Sequence, residues 1–232
     1  MLSELIKKVQ KKEEVSSMEL EQLVADLADP EMDIEQKTAF IVAFHEKGET
    51  SREVADLAAI LRGLALDPRV DIKLLGGLLL DTCGTGGDRM NTFHASTAAA
   101  FILASANLPV AKHGNRSVTS QCGSADVLEA LGINIQLPPE TVQSALEQTQ
   151  FAFLFAPAYH KIFKMLQPLR QLLAQKGQRT VFNILGPLIN PARPNIQVVG
   201  VYDPGLTEKM GEALKHMGLM RAVAVHGYTS ES

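Results

Sequence analysis

From the N-terminus to about residue 70, apolar positions recur three and four residues apart, and the polar positions between them carry helix-start signals. Ser16 to Glu19, Asp33 to Gln36 and Thr50 to Glu53 each have the form of a capping box, in which a side-chain oxygen closes the first turn and an acid or amide three residues on reaches back. Leu20, Leu23, Val24 and Leu27 follow the first box, Phe40, Ile41 and Phe44 the second, and Val54, Leu57, Ala58 and Leu61 the third. The pattern predicts a small all-helical unit over residues 1–70.

Beyond residue 70 the period changes. Short apolar runs at 77–83, 108–112, 133–137, 151–155, 196–202 and 222–226 read as strands. Between them lie helical patterns at 95–106, 124–131, 139–149, 158–176 and 205–217, with Gly132, Gly177 and Gly218 at C-cap positions. Strands alternating with helices predict an α/β domain over residues 71–232 built on a mostly parallel sheet. The 158–177 helix is expected to pack on the helical unit. Ligands of such sheets bind beyond the carboxyl ends of the strands, which directs attention to the loops after Cys83, Lys112 and Phe155.

Composition narrows the class. The chain has 232 residues, 46% hydrophobic and 21% charged, with mean hydropathy +0.04, the profile of a globular protein rather than a disordered one. A net charge of −4 gives no electrostatic reason to expect nucleic acid or an anionic membrane. Cys83 and Cys122 are too few for a disulfide framework and form no C-x-x-C metal signature, so a reduced, cytoplasmic setting is expected. The N-terminal residues have no continuous apolar core of the kind a secretory signal needs. The long uncharged run from Met90 to Ala111 is interrupted by polar residues and reads as a buried helix leading into a strand rather than a membrane span.

Two loops hold the candidate chemistry. The first, Asp81-Thr-Cys-Gly84-Thr-Gly86-Gly87-Asp88, joins a strand to the helix that begins near Ser96. Its glycines allow close backbone approach to a ligand, and the helix start adds positive partial charge, so a phosphate or pyrophosphate would fit. The spacing is neither of the two common nucleotide fingerprints, and Asp88 suits a sugar hydroxyl or metal-bound water better than bare phosphate. A tight strand-to-helix turn is the alternative. His94, Ser96 and Thr97 fall in the first helical turn, either as caps or as a continuation of the anion site with a hydroxyl available to Mg²⁺. The second loop, Lys112-His113-Gly114-Asn115-Arg116-Ser117-Val118-Thr119-Ser120, supplies two cations and several hydroxyls, an inventory for a highly phosphorylated molecule. Further on, Phe155-Ala-Pro157-Ala-Tyr159-His160 leads into a helix with Arg170, whose fork suits a carboxylate, and Phe182-Asn-Ile-Leu-Gly186-Pro187-Leu-Ile-Asn190-Pro191 forms a rigid turn cluster.

Together the GTGGD, KHGNRSV, GSADVLEALG, FLFAP and FNILGPLINPA segments resemble the anthranilate phosphoribosyltransferases, and the likeness runs from the N-terminal helices to the last residue. The resemblance implies a helical domain through which homodimers form, hinged to a larger α/β domain. It implies transfer of the phosphoribosyl group of phosphoribosyl pyrophosphate (PRPP) to the amine of anthranilate, in tryptophan biosynthesis, with two Mg²⁺ per site. Gly84, Gly87, Asp88, Thr92, His94, Ala95, Ser96 and Thr97 look like the PRPP loop, with the Ser96 hydroxyl as a ligand of one Mg²⁺. Lys112, His113, Gly114, Asn115, Arg116, Ser117, Val118, Thr119, Ser120 and Ser124 look like the second wall of that site, with Lys112 stabilising charge and no residue acting as an acid or base. Gly84, Asn115 and Arg170 correspond to anthranilate-contacting positions, and His113, Tyr159, His160 and Pro187 to the lining of the aromatic substrate's channel.

Two departures mark this sequence. His94 stands where the family usually has Asn. Soon after a His-Gly like His226-Gly227 the family carries an adjacent Asp-Glu pair for the second Mg²⁺, whereas here the sequence reads Tyr228-Thr-Ser-Glu231-Ser232; a C-terminally truncated chain is the expectation. Two other readings stand beside the transferase: a non-catalytic fragment that dimerises or binds substrate, and a pyrimidine nucleoside phosphorylase-like enzyme, which shares the architecture and a glycine-rich phosphate loop.

Overall fold

The computed structural model describes residues 2–86, 93–116 and 122–228. Four helices come first: α1 (Leu2–Gln10), α2 (Ser17–Ala28), α3 (Ile34–Lys47) and α4 (Ser51–Gly63). The Ser16–Glu19 and Thr50–Glu53 capping boxes both form, so α2 and α4 start where the sequence places them. Asp33 caps α3 through the Glu35 amide. The apolar stripes of the four helices converge on Leu5, Leu20, Leu23, Phe40, Phe44, Val54, Leu57 and Leu61, each worth about 1.5–3 kcal/mol when fully buried.

The remainder alternates strand and helix: β1 (Leu80–Gly84), α5 (Ala95–Ser105), β2 (Val110–Gly114), α6 (Ser124–Ala130), α7 (Val142–Thr149), β3 (Phe151–Phe155), α8 (Ala156–Tyr159), α9 (Ile162–Met165), α10 (Gln167–Gln175), α11 (Phe182–Leu185), β4 (Ile196–Gly200), α12 (Leu206–His216) and β5 (Arg221–Val225). The strands form one five-stranded sheet in the order β3-β2-β1-β4-β5, and every pair is parallel. Gly132, Gly177 and Gly218 all take positive φ, the left-handed conformation that ends a helix.

Two elements differ from the sequence reading. Residues 133–137 do not join the sheet; only Gln136 makes an isolated antiparallel bridge to Leu154, and Pro138 and Pro139 follow at once, removing the amides a strand would need. The helix expected over 158–176 is three short helices, α8, α9 and α10: the first break falls at His160, whose ψ of 76° is not helical, and the second where Pro168 sits in the first turn of α10 and cannot continue a preceding helix. Leu166, just before the last of these pieces, and Leu169 and Leu173 within it pack in the same core as Phe40 and Phe44, and so do Met210 and Leu214 of α12.

The sheet order positions the site. The chain moves outward from β1 through β2 to β3, then returns to lay β4 on the other side of β1. The reversal places a switch point between β1 and β4, and the carboxyl ends there are Gly84 and Gly200.

Candidate functional site

At the switch point the two strand ends lie close. A Cβ on Gly84 would just touch the Gly200 carbonyl oxygen at 3.4 Å, whereas Gly86 takes φ +66°, a backbone conformation that favours glycine. Thr85 pins the loop to β4: its amide donates to the Gly200 carbonyl at 2.9 Å, and its Oγ1 accepts from the Tyr202 amide at 3.1 Å. Gly87, Asp88 and Thr92 lie outside the described residues.

The start of α5 faces the same end of the sheet. His94 occupies the N-cap position and makes no side-chain cap bond, and Thr97 Oγ1 is buried with no hydrogen-bond partner. Ser96 is held differently: its Oγ accepts from Lys112 Nζ at 3.1 Å, while its carbonyl accepts from Thr82 Oγ1 at 2.7 Å. Lys112 Nζ also donates to the Thr82 carbonyl at 2.5 Å. Lys112 is thus a buried ammonium that ties β2 to β1 and to the first turn of α5; burial pushes its pKa down and the nearby Asp81 pushes it back up. An uncapped helix start with an ammonium beneath it is a favourable place for an anion. Ala95 opens this helix.

The second loop divides its two cations. Arg116 is taken by α6, pairing with Asp126 at 3.1 Å and with both carboxylate oxygens of Glu129, one at 2.7 Å. Asn115 accepts the Arg116 amide on its Oδ1 at 2.7 Å, and its carbonyl receives Ser124 Oγ at 3.4 Å. Gly114 has no room for a side chain: a Cβ would stand 2.5 Å from Ser124 Oγ and 2.8 Å from the Phe153 ring. Ser117, Val118, Thr119 and Ser120 lie outside the described residues, as does Glu231.

A line of rings leads away from Lys112. The His113 and His160 imidazoles meet edge to face at 5.1 Å between centroids, His160 meets Phe163 at 5.7 Å, and the Arg170 guanidinium lies 5.2 Å from the Phe163 centroid. Burial lowers the His113 pKa to about 3, helped by His160 and opposed by the Gly186 backbone. Burial likewise lowers His160 to about 4, opposed by the Ile189 backbone, although neither His160 nitrogen makes a hydrogen bond of normal geometry. Both rings are therefore neutral at pH 7, and His113 Nε2 is also without a partner. Tyr159 is buried with its hydroxyl donating to the Leu137 carbonyl at 3.1 Å, and burial raises it to about 12. The Pro187 carbonyl accepts Gln197 Nε2 at 2.5 Å.

Beneath these walls lies a network to which the sequence reading gave no role. Asp81, 1% exposed, accepts from Asn190 Nδ2 at 2.9 Å, Gln197 Nε2 at 3.3 Å and the His113 amide at 3.4 Å. Burial raises its pKa, and Lys112, Asn190 and two backbone amides oppose the rise. A carboxylate inside an otherwise apolar strand was the available signal.

Among the described residues no group of three acidic, histidine or cysteine side chains could hold a metal ion by itself. The oxygen on offer is Ser96 Oγ, beside Lys112. That donor set fits Mg²⁺ arriving with a diphosphate, because Mg²⁺ keeps several waters and takes one or two protein ligands plus phosphate oxygens.

A helical bundle packed on a parallel sheet, with a glycine loop opening at its switch point, has the architecture of a two-part glycosyl transferase. Residues 76–232 match the glycosyl transferase family, a/b domain, and residues 3–65 match the glycosyl transferase family, helical bundle domain; the chain belongs to this family. A curated relative from Desulfatibacillum aliphaticivorans, an anthranilate phosphoribosyltransferase, is 44% identical across 98% of this chain, and the match spans 65% of the relative. The anthranilate phosphoribosyltransferase of Thermus thermophilus is 38% identical, with TM-score 0.87 over 98% of this chain and 67% of its own. The Saccharomyces cerevisiae enzyme of the same name, solved in complex with PRPP and Mg, is 27% identical with TM-score 0.84, over 98% and 66%. The chain thus spans about two thirds of the length of the relatives it matches. No helix of the described residues is long and apolar enough to cross a membrane.

Proposed function

We propose that this chain carries out the reaction its relatives are named for: transfer of the phosphoribosyl group of PRPP to the amine of anthranilate, giving N-(5-phosphoribosyl)anthranilate and pyrophosphate, a step of tryptophan biosynthesis. The observation that carries the reading is the juxtaposition at the switch point of the Gly84–Gly86 loop, the uncapped start of α5 and buried Lys112, beside the line of rings from His113 to Arg170. One half suits a diphosphate and the other a flat aromatic acid.

In this reading the C1–oxygen bond of the ribose breaks as the C1–nitrogen bond forms, the diphosphate leaves with the electron pair, and the surplus amine proton goes to solvent. Anthranilate's amine is already a neutral nucleophile, so no strong base is needed. Alignment of two bound substrates can remove about 7–11 kcal/mol of barrier, more than one acid or base supplies. Lys112, two of whose three donors go to Thr82 and Ser96, and the loop amides would stabilise the departing charge. The Arg170 fork would hold the carboxylate, with Gly84 and Asn115 against the same substrate and Tyr159 and Pro187 closing the channel. Gly87, Asp88, Thr92 and residues 117–120 would complete the PRPP walls. Mg²⁺, two per site and one of them on Ser96 Oγ, would neutralise diphosphate charge.

We further infer two functional units, 1–70 and 71–232, with closure between them completing the site, a homodimer through the helical unit, and a cytoplasmic setting. The apolar groove lined by Val24, Ile60, Leu64, Ile162 and Met165, about 790 Å³, supports the dimer.

The test is fluorimetric. With PRPP and Mg²⁺ present, the 232-residue chain is expected to consume anthranilate, seen as loss of its fluorescence. PRPP binding with no loss would make it a non-catalytic binding fragment, and phosphorolysis of thymidine in its place would make it a nucleoside phosphorylase.

A further inference from the structure

Asp81 is a buried acid that the proposed chemistry does not use. It is the second residue of β1, and it gathers donors from three separate segments: the His113 amide of β2, Asn190 of the turn after α11 and Gln197 of β4. Each of these grips something else. Asn190 Nδ2 also donates to the Ala111 carbonyl at 2.8 Å, and its Oδ1 accepts from the Ala192 amide at 2.9 Å. Gln197 Nε2 holds the Pro187 carbonyl at 2.5 Å. The 186–190 turn is therefore fastened to the sheet through side chains that meet at one carboxylate, and both imidazoles sit against the backbone of that turn, His113 at Gly186 and His160 at Ile189.

The node needs oxygens that face N–H groups. The His113 amide, Asn190 and Gln197 all donate to the two carboxyl oxygens, whereas a side-chain amide there would turn an N–H toward another donor. Buried unmatched donors are costly, so the turn would shift rather than tolerate the mismatch.

We propose that Asp81 is a positioning residue for the aromatic-amine half of the site, setting the His113 end of β2 against the Pro187–Asn190 turn so that the His113–His160 pair keeps its geometry. The inference rests on the transferase reading for its functional consequence and on the hydrogen-bond network alone for its structural one.

Two readouts on the 232-residue chain separate these. In the ligand-free protein, Asp81→Asn is expected to move the ring ¹⁵N signals of both His113 and His160, while Leu57→Ala, a cavity in the helical core, leaves them in place. Unmoved ring signals in Asp81→Asn overturn the proposal. In steady-state kinetics Asp81→Asn is expected to raise KM for anthranilate about tenfold and to leave KM for PRPP within about twofold, as for one lost set of directional bonds. Equal rises in both constants, or a fall in kcat alone, would make Asp81 a structural residue. Should Asp81→Asn fail to fold, Gln197→Met, which loses the bonds to Asp81 and Pro187, carries the same two readouts. A wild-type chain that never consumes anthranilate overturns the transferase reading, and the ring signals then decide the role of Asp81 alone.

Discussion

His113 and His160 meet edge to face with 5.1 Å between ring centroids, and three of their four ring nitrogens are buried with no hydrogen-bond partner. Both positions exclude water: His113 is 7% exposed and His160 1%. An imidazole in such a place gives up its charge, and the second ring 5.1 Å away adds repulsion for any proton on the first. Their unused nitrogens are hydrogen-bonding capacity already desolvated within the line of rings.

That pair makes stability depend on pH. In the unfolded chain each histidine binds a proton near pH 6.5, while in the folded chain binding waits until about pH 3 for His113 and about 4 for His160. The unfolded state therefore holds more protons below pH 6.5. Stability is full above that pH and falls as pH drops through 6.5 toward the folded values, by about 2 kcal/mol for each ring at pH 5. Urea unfolding at pH 7 and pH 5 measures it, and His160→Phe should remove roughly half of the difference. A midpoint that does not move between the two pH values contradicts the burial of these rings as neutral groups.

Arg170 makes a kinetic prediction. Its guanidinium lies over Phe163, which meets His160 edge to face, so it stands at the far end of the line of rings from Lys112. Arg170→Ala should raise KM for anthranilate about tenfold and leave KM for PRPP within about twofold. Equal effects on both substrates would remove it from the carboxylate role.

Much of this architecture was legible in the sequence because it follows from local rules. The change of hydrophobic period near residue 70 separates helices from a strand-and-helix alternation, and the Ser16 and Thr50 boxes locate helix starts to the residue. What the sequence concealed is long-range. Asn190 reaches Asp81 across 109 residues and Gln197 across 116, a pairing no local pattern encodes. Arg116 is rich in phosphate-binding potential as a residue type, yet its partners Asp126 and Glu129 lie one helix on, and only the fold brings them to it. The strand expected over 133–137 had the right residues and lacked a neighbour to pair with beyond one bridge at Leu154.

Two glycines should respond in opposite directions to the same substitution. Gly114→Ala forces a methyl against the Phe153 ring atoms at 2.8 and 3.0 Å and against Ser124 Oγ. The hydroxyl can turn aside, but the ring is buried in the core and cannot, so a loss of about 1–3 kcal/mol is expected. Gly211 lies inside α12 with nothing within 4 Å of a Cβ. Gly211→Ala should gain about 0.4–1 kcal/mol by restricting the unfolded chain and favouring helix. Thermal unfolding of the two variants beside the parent compares them directly, and a stabilised Gly114→Ala would contradict the packing at the end of β2.

The Lys47–Glu53 pair tests what a buried ion pair contributes in the helical unit. Its two side chains are 3% and 1% exposed, and the Nζ to Oε2 distance is 2.6 Å. Removing one partner of a buried pair usually costs about 3–5 kcal/mol, whereas replacing both with apolar groups is often neutral. Glu53 does more than balance a lysine, because its carboxylate also accepts the Val15 amide and the Thr50 amide, each at 2.8 Å. The buried Val15 amide is left unmatched if the acid is removed, whatever happens to the lysine, at about 1–3 kcal/mol, and the half-buried Thr50 amide loses its acceptor as well. Glu53→Ala should therefore be the most damaging change, Lys47→Met milder since the carboxylate keeps its two amides, and the double variant Lys47→Met/Glu53→Leu should remain at least about 2 kcal/mol below the parent. Urea unfolding of the four proteins, compared by linear extrapolation, gives the order, and a double variant as stable as the parent would show that the two amides find other acceptors when Glu53 is gone.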